Sequence, residues 1–216
     1  SDQQNQKQTA YQILVAESSE ALAANSGDRW DSGRVGEDQS AWIEYKGAAL
    51  RSFGRYYWKI RVWDGAGQPS AWSEPAEWTM AVVDQPAWRA RWIVHPVQDL
   101  RTGPLPVFRK EFTLDKPIRR ALLLVAGLGF HEAHVNGRRV GDHVLAPAWT
   151  NFKATVNYET HDITPLLKPR ANAIGVMIGN GFYNVAGGRY VKFTGSFGQT
   201  RLLAQIHIEY DDGSSA

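Results

Sequence analysis

Cysteine is absent from all 216 residues, so disulfides, a thiolate nucleophile and a Cys-ligated zinc site are excluded together. No apolar run approaches the roughly 18–20 residues of a membrane span. The stretch Ser1 to Ala10 is polar where a signal peptide would carry an apolar segment. An excess of one charge is missing too: 24 Lys and Arg stand against 22 Asp and Glu, with no long basic run, so a polyanion has no footprint and nucleic acid is set aside as a partner. Localisation stays open, with the periplasm or the exterior favoured over the cytoplasm. There is no Gly-x-Ser-x-Gly nucleophile turn, and the Gly187-Gly188 and Gly195-Ser196-Phe197-Gly198 stretches lack the Lys-Ser/Thr of a phosphate loop.

What is present is apolar and aromatic. Hydrophobic residues make up 43% of the chain, enough for a packed core, and the length suits two β-domains of roughly 100–150 residues or fewer. Eight of the nine Trp lie between Trp30 and Trp92, an asymmetry that itself divides the chain. Short strand-like runs recur with Gly-rich turns between them: Thr9–Ala16, Trp42–Tyr45, Tyr56–Trp63 and Ala76–Met80. In Tyr56–Trp63 the alternation puts Tyr56, Trp58, Ile60 and Val62 on the better core face. Tyr57, Lys59, Arg61 and Trp63 take the other face, where cationic stems can lie along exposed Trp rings. A Pro turn signal near residues 82–90 marks the boundary. Beyond it Val107–Leu114, Arg119–Ala126, Glu132–Val135, Ala154–Tyr158, Asn172–Ile178 and Leu202–Tyr210 read as strands, with no amphipathic helix. Val135-Asn136-Gly137-Arg138 is a hairpin signal, because Asn-Gly populates the positive-φ positions of a type I′ turn.

The fold expected is all-β: a fibronectin III or immunoglobulin-like sandwich over residues 1–83, then a jelly-roll sandwich over 84–216. Chemistry is sparse. Glycoside hydrolysis needs two carboxyl groups across a sugar pocket. The carboxylates here read instead as turn formers (Asp31, Asp64, Asp142, Asp211, Asp212) or as outward strand residues (Glu44, Glu77, Glu209). His131-Glu132-Ala133-His134 places its two imidazoles on opposite faces of a strand, which argues against zinc. The constellation best suited to a ligand is aromatic and amide-rich: Trp149, Asn151, Asn180, Phe182 and Tyr183, continued by Asn184, Arg189 and Tyr190. Aromatic faces stack on the apolar face of a sugar, and planar amides match its hydroxyls. Core packing is the competing reading.

A resemblance enters on motifs in fixed order. Trp30-Asp31-Ser32-Gly33-Arg34-Val35, Tyr56–Asp64 and Ser70-Ala71-Trp72-Ser73-Glu74 resemble the N-terminal fibronectin-like domain of bacterial α-L-rhamnosidases. Phe108–Phe112, His134–Asp142, Leu145–Thr150 and Gly179–Tyr183 are similar to the domain that follows it there. Against that family an edge strand before Thr9–Ala16 is missing, and the helical-toroid catalytic domain lies beyond the last residue. The resemblance therefore implies an accessory, inactive N-terminal piece of an enzyme that hydrolyses terminal α-L-rhamnosides. Its partners would be a rhamnose-containing glycan and a downstream catalytic domain. A Ca²⁺ ion assisting the sugar site is implied as well, with ligands that do not map onto this sequence; no other cofactor is expected. A stand-alone lectin-like module and a purely structural spacer are the alternatives.

Overall fold

The computed structural model describes residues 7–96, 104–185 and 195–216, and the chain divides into two compact units, Ser1–Trp88 and Arg89–Ala216. In the first unit β1 (Ala10–Ala16), β2 (Trp30–Asp31), β3 (Arg55–Trp63) and β4 (Ala76–Thr79) form one antiparallel sheet in the order β2-β1-β3-β4. The β1/β3 register runs from Ala10 opposite Trp63 to Ala16 opposite Tyr57. Directly paired residues share a face, so Tyr11, Ile13 and Val15 gather with Tyr56, Trp58, Ile60 and Val62 in one core. This is the face that alternation singled out.

The other face is also covered, which sequence reading did not foresee. A five-residue helix, α1 (Ser19–Ala23), is capped by the Ser18 hydroxyl, which accepts from Ala21 N–H at 3.1 Å. Leu22 of that helix packs with Leu14 and Ala16, and Tyr57 and Trp72 complete the cluster. Lys59 and Trp63 are each only 7% exposed. The Lys59 Nζ donates to Asn25 Oδ1 at 2.6 Å and lies 5.1 Å from the Trp72 ring, partners that offset the cost of burying it. Arg61 lies over both Trp63 (5.0 Å) and Trp72 (4.7 Å), and Arg34 also lies over Trp63 (5.1 Å). The cation-aromatic ladder is present, but its central Trp is buried.

Trp42–Tyr45 is not a strand. The Gln39 side-chain amide donates to the carbonyls of Ala41 (2.8 Å) and Trp42 (3.1 Å), bonds that a neighbouring strand would otherwise supply. Trp42 is left 96% exposed at positive φ, while Ile43 and Tyr45 still pack on the core.

The second unit stacks two antiparallel sheets. One contains β5 (Val107–Leu114), β7 (Phe130–Val135), β8 (Arg138–Arg139) and β10 (Arg170–Gly179), ordered β5-β10-β7-β8. The other contains β6 (Ile118–Leu128), β9 (Glu159–Asp162) and β13 (Arg201–Tyr210), ordered β13-β6-β9. A two-stranded ribbon joins β11 (Asn184–Val185) to β12 (Gly195–Ser196). Ala121, Leu123 and Val125 of β6 face Ala133 and Val135 of β7 and Val176 of β10, with Leu202 and Ile208 of β13 closing the core. The β7–β8 hairpin turns through Asn136 (φ 52°) and Gly137 (φ 80°), both positive as a type I′ turn requires.

Ala154–Tyr158 is a second correction. The Asn151 carbonyl accepts from both Ala154 N–H (2.8 Å) and Thr155 N–H (2.9 Å), so the chain turns there and β9 begins only at Glu159. Glu209 is a third: it is a half-buried partner of Arg119 (2.9 Å) and Arg120 (2.5 Å), not a freely solvated strand residue. Among the described residues no helix is long and apolar enough to cross a membrane.

Candidate functional site

At the end where β6 turns into β7, glycine sets the geometry. Gly129 has φ 126°, and a Cβ on it would lie 2.2 Å from the Gly179 carbonyl oxygen. A Cβ on Gly181 would lie 2.9 Å from Phe130 N. Backbone therefore approaches backbone more closely than any other residue allows. That approach brings Phe130, at the start of β7, against Phe182 edge-to-face at 5.6 Å. Trp149 comes from the loop after β8 and stacks on Phe182, with centroids 4.9 Å apart and planes 20° apart. Trp149 is 59% exposed and Phe182 42%, so the stack is a shelf open to solvent.

The remaining predicted residues distribute around the shelf unequally. Tyr183 is buried, packed edge-to-face on Phe152 (5.3 Å) and stacked on Phe197 (5.9 Å), and its hydroxyl donates to the Phe197 carbonyl at 3.2 Å. It supports the loop from within. The Asn151 side chain accepts from Lys153 N–H at 3.2 Å and so holds its own turn. Asn180 Oδ1 accepts from the Asn184 amide at 3.0 Å and its carbonyl accepts from Asn184 N–H at 3.1 Å. Arg189, with Tyr190, lies outside the described residues.

One grouping beside the shelf was missed. Glu159 of β9 contacts three imidazoles: His143 Nδ1 at 2.6 Å, His131 Nε2 at 3.3 Å and His161 Nε2 at 3.5 Å. Burial pushes the Glu159 carboxyl up, but the His143 hydrogen bond and the neighbouring imidazoles outweigh it and hold the group below its ordinary value. Its hydrogen bond raises the His143 pKa, while burial lowers that of His131. Sequence reading tested His131 only against His134, three residues away. The usable signal was Glu159 and His161 at a spacing of two, which puts both on one face of a strand.

Comparison with known proteins fits this architecture unit by unit. Residues 1–84 match the family model "Rha78A-like, N-terminal immunoglobulin domain", and residues 116–216 match "Alpha-L-rhamnosidase N-terminal domain". The chain is 33% identical to an α-L-rhamnosidase of Formosa agariphila, covering 97% of this chain and 25% of that protein. It is 31% identical to one from an Alteromonas species, covering 100% of this chain and 24% of that protein. The solved α-L-rhamnosidase structure from Dictyoglumus thermophilum superimposes on all of this chain and on 25% of its own, with a TM-score of 0.84 at 35% identity. The chain thus spans about a quarter of the length of the curated relatives it matches. With both domain models matching in order and relatives at this identity aligned over nearly the whole of it, the chain corresponds to the N-terminal region of α-L-rhamnosidases.

Proposed function

We propose that this region serves an enzyme hydrolysing terminal α-L-rhamnosides, and that its second unit holds a rhamnose-containing glycan on the Trp149–Phe182 shelf. The observation that carries this reading is two stacked aromatic rings left exposed at convergent loops and braced from below by Phe130. A pyranose ring offers a C–H face to such a surface, and desolvating that face is the main source of affinity. The Trp-rich first unit is less apt, because its Trp63 and Trp72 lie under cationic side chains.

The family resemblance implies a Ca²⁺ ion at the sugar site. No three His, Cys, Asp or Glu side chains among the described residues are disposed to hold a metal, and the side-chain oxygens of Asn151 and Asn180 are already hydrogen-bonded. Binding at the shelf is proposed without the ion, so adding a chelator leaves it unchanged. A second reading is favoured by Val144 and Leu145, 75% and 69% exposed on the loop that carries Trp149. In that reading the loop is a seat for a catalytic domain of the same polypeptide.

Calorimetric titration of L-rhamnose into the 216-residue chain separates the two. Saturable binding of about millimolar strength, weakened about tenfold by Trp149→Ala, supports the sugar site. Absence of saturable binding, or binding that Trp149→Ala leaves intact, rules it out and leaves the docking role.

A further inference from the structure

Glu159, His131 and His161 face the inside of the sandwich, and only His143 reaches them from an exposed loop. On β7, His131 shares the core-facing side with Ala133 and Val135, both at most 4% exposed. On β9, Glu159 and His161 pair with Val125 and Leu123, which belong to the same core. The side chain of His131 is 2% exposed, and neither of its ring nitrogens makes a hydrogen bond among the described residues. Two glycines make the room. A Cβ on Gly127 would lie 2.9 Å from His131 Nδ1, and one on Gly141 would lie 2.6 Å from His161 Cε1. Polar groups in a core are expensive unless the site uses them.

The fourth member explains the use. His143 lies on the loop between β8 and the shelf, six residues before Trp149, and its Nδ1 reaches Glu159 Oε1 at 2.6 Å. The same loop is fixed at two further points. His131 N–H donates to the Ala146 carbonyl at 2.8 Å, and Arg139 Nη2 donates to the His143 carbonyl at 2.6 Å. β9 thereby holds, through one carboxylate, the loop that carries the upper ring of the stack.

We propose that Glu159, with His143, His131 and His161, is the positioning group of the sugar shelf: it fixes the 140–149 loop so that Trp149 lies over Phe182, and it loosens that loop when His143 loses its proton. The inference rests on the sugar-binding reading only for its consequence, since the loop position is measured directly. Among the described residues, the groups facing Glu159 are His131 from β7, His161 from its own strand and His143 from the loop. Beyond them Asp142 lies next to His143, and Arg139 of β8 pairs with Glu132 at 3.1 Å. β6 presents only Leu123, Val125 and Gly127 on this side.

The signs follow from these neighbours. Glu159 raises His143 from the ordinary histidine value, so its charged contact is fully present below that value and is lost as pH rises through the raised midpoint. Glu159 is held below the ordinary carboxylate range, so the anion persists into mild acid. Burial opposes protonation of His131 and lowers its pKa.

NMR on the 216-residue chain tests the proposal, following the His143 ring and the Trp149 indole N–H from about pH 5 to about pH 9, a range that brackets histidine titration. The expected result is that the Trp149 signal moves with the His143 midpoint. Glu159→Gln should lower that midpoint. His143→Gln, at a position exposed enough to spare the fold, should leave the Trp149 signal independent of pH. L-rhamnose affinity should fall about threefold or more across the rise in wild type and stay flat in His143→Gln. A Trp149 signal that stays fixed while His143 titrates overturns the proposal. If L-rhamnose fails to bind at any pH while both signals still titrate together, the sugar reading falls and the positioning role stands.

Discussion

Asn136 and Gly137 occupy one turn for different physical reasons. Gly137 has open space around it and is required only by its positive φ. Asn136 also tolerates positive φ, but its side chain ties three segments together. Its Nδ2 donates to the Leu166 carbonyl (2.8 Å) and to Asn172 Oδ1 (2.8 Å), and its Oδ1 accepts from Ala173 N–H (3.0 Å). Buried Asn172 then bonds Lys168 N–H and the Lys168 carbonyl, so one amide pair satisfies the chain entering β10. The expected outcome is that Asn136→Ala costs about 2–3 kcal/mol, the penalty for unpaired buried polar groups, against about 1–2 kcal/mol for the strained backbone of Gly137→Val. Urea unfolding of the two variants checks the order. The dipeptide made the turn legible in the sequence; the amide network was not, because its partners lie 30 to 37 residues away.

Strands announced themselves where alternation met a partner of equal length. β5, β10 and β13 fall within two residues of their sequence-read limits, and β6 and β7 extend by one or two residues at each end or at the leading end. Where side chains or turns met the backbone's hydrogen-bonding needs instead, as at Trp42–Tyr45 and Ala154–Tyr158, the pattern misled. The shelf was half legible: Trp149 and Phe182 were identified by type, but only the fold brings Phe130 beneath them and sends Tyr183 inward. At this scale the corner between β6 and β7 is the element on which the shelf depends. Gly129→Ala must push the Gly179 carbonyl away while adopting a φ of 126°, whereas Gly67→Ala meets nothing within 4 Å and carries only its φ of 75°. The expected result is a loss of more than about 2 kcal/mol for Gly129→Ala and about 1 kcal/mol for Gly67→Ala, read from melting midpoints.

Taken whole, the molecule couples its stability to pH through groups inside its second unit. Burial lowers the pKa of His131 and of His207, so the fold favours their neutral forms and loses stability as pH falls below the ordinary histidine value. Burial alone would raise Glu209, but Arg120 and Arg119 overcome it, and its lowered pKa, like that of Glu159, adds stability that disappears as pH falls through it. His143 acts in the opposite direction, but its side chain is 65% exposed and solvent screens it. The melting temperature should therefore drop on going from about pH 7 to about pH 5, and a rise over that interval would contradict these assignments. The 216-residue chain is expected not to hydrolyse an aryl α-L-rhamnoside, because the shelf proposed for the sugar is built of Phe130, Trp149 and Phe182, none of which carries the carboxyl groups that hydrolysis needs. The central claim is that the second unit, through the Trp149–Phe182 shelf, meets the sugar. The most direct measurement is chemical-shift mapping of L-rhamnose on this chain. The predicted result is saturable perturbation centred on Phe130, Trp149 and Phe182; perturbation centred on Trp63 and Trp72 of the first unit, or none at saturating sugar, would contradict it.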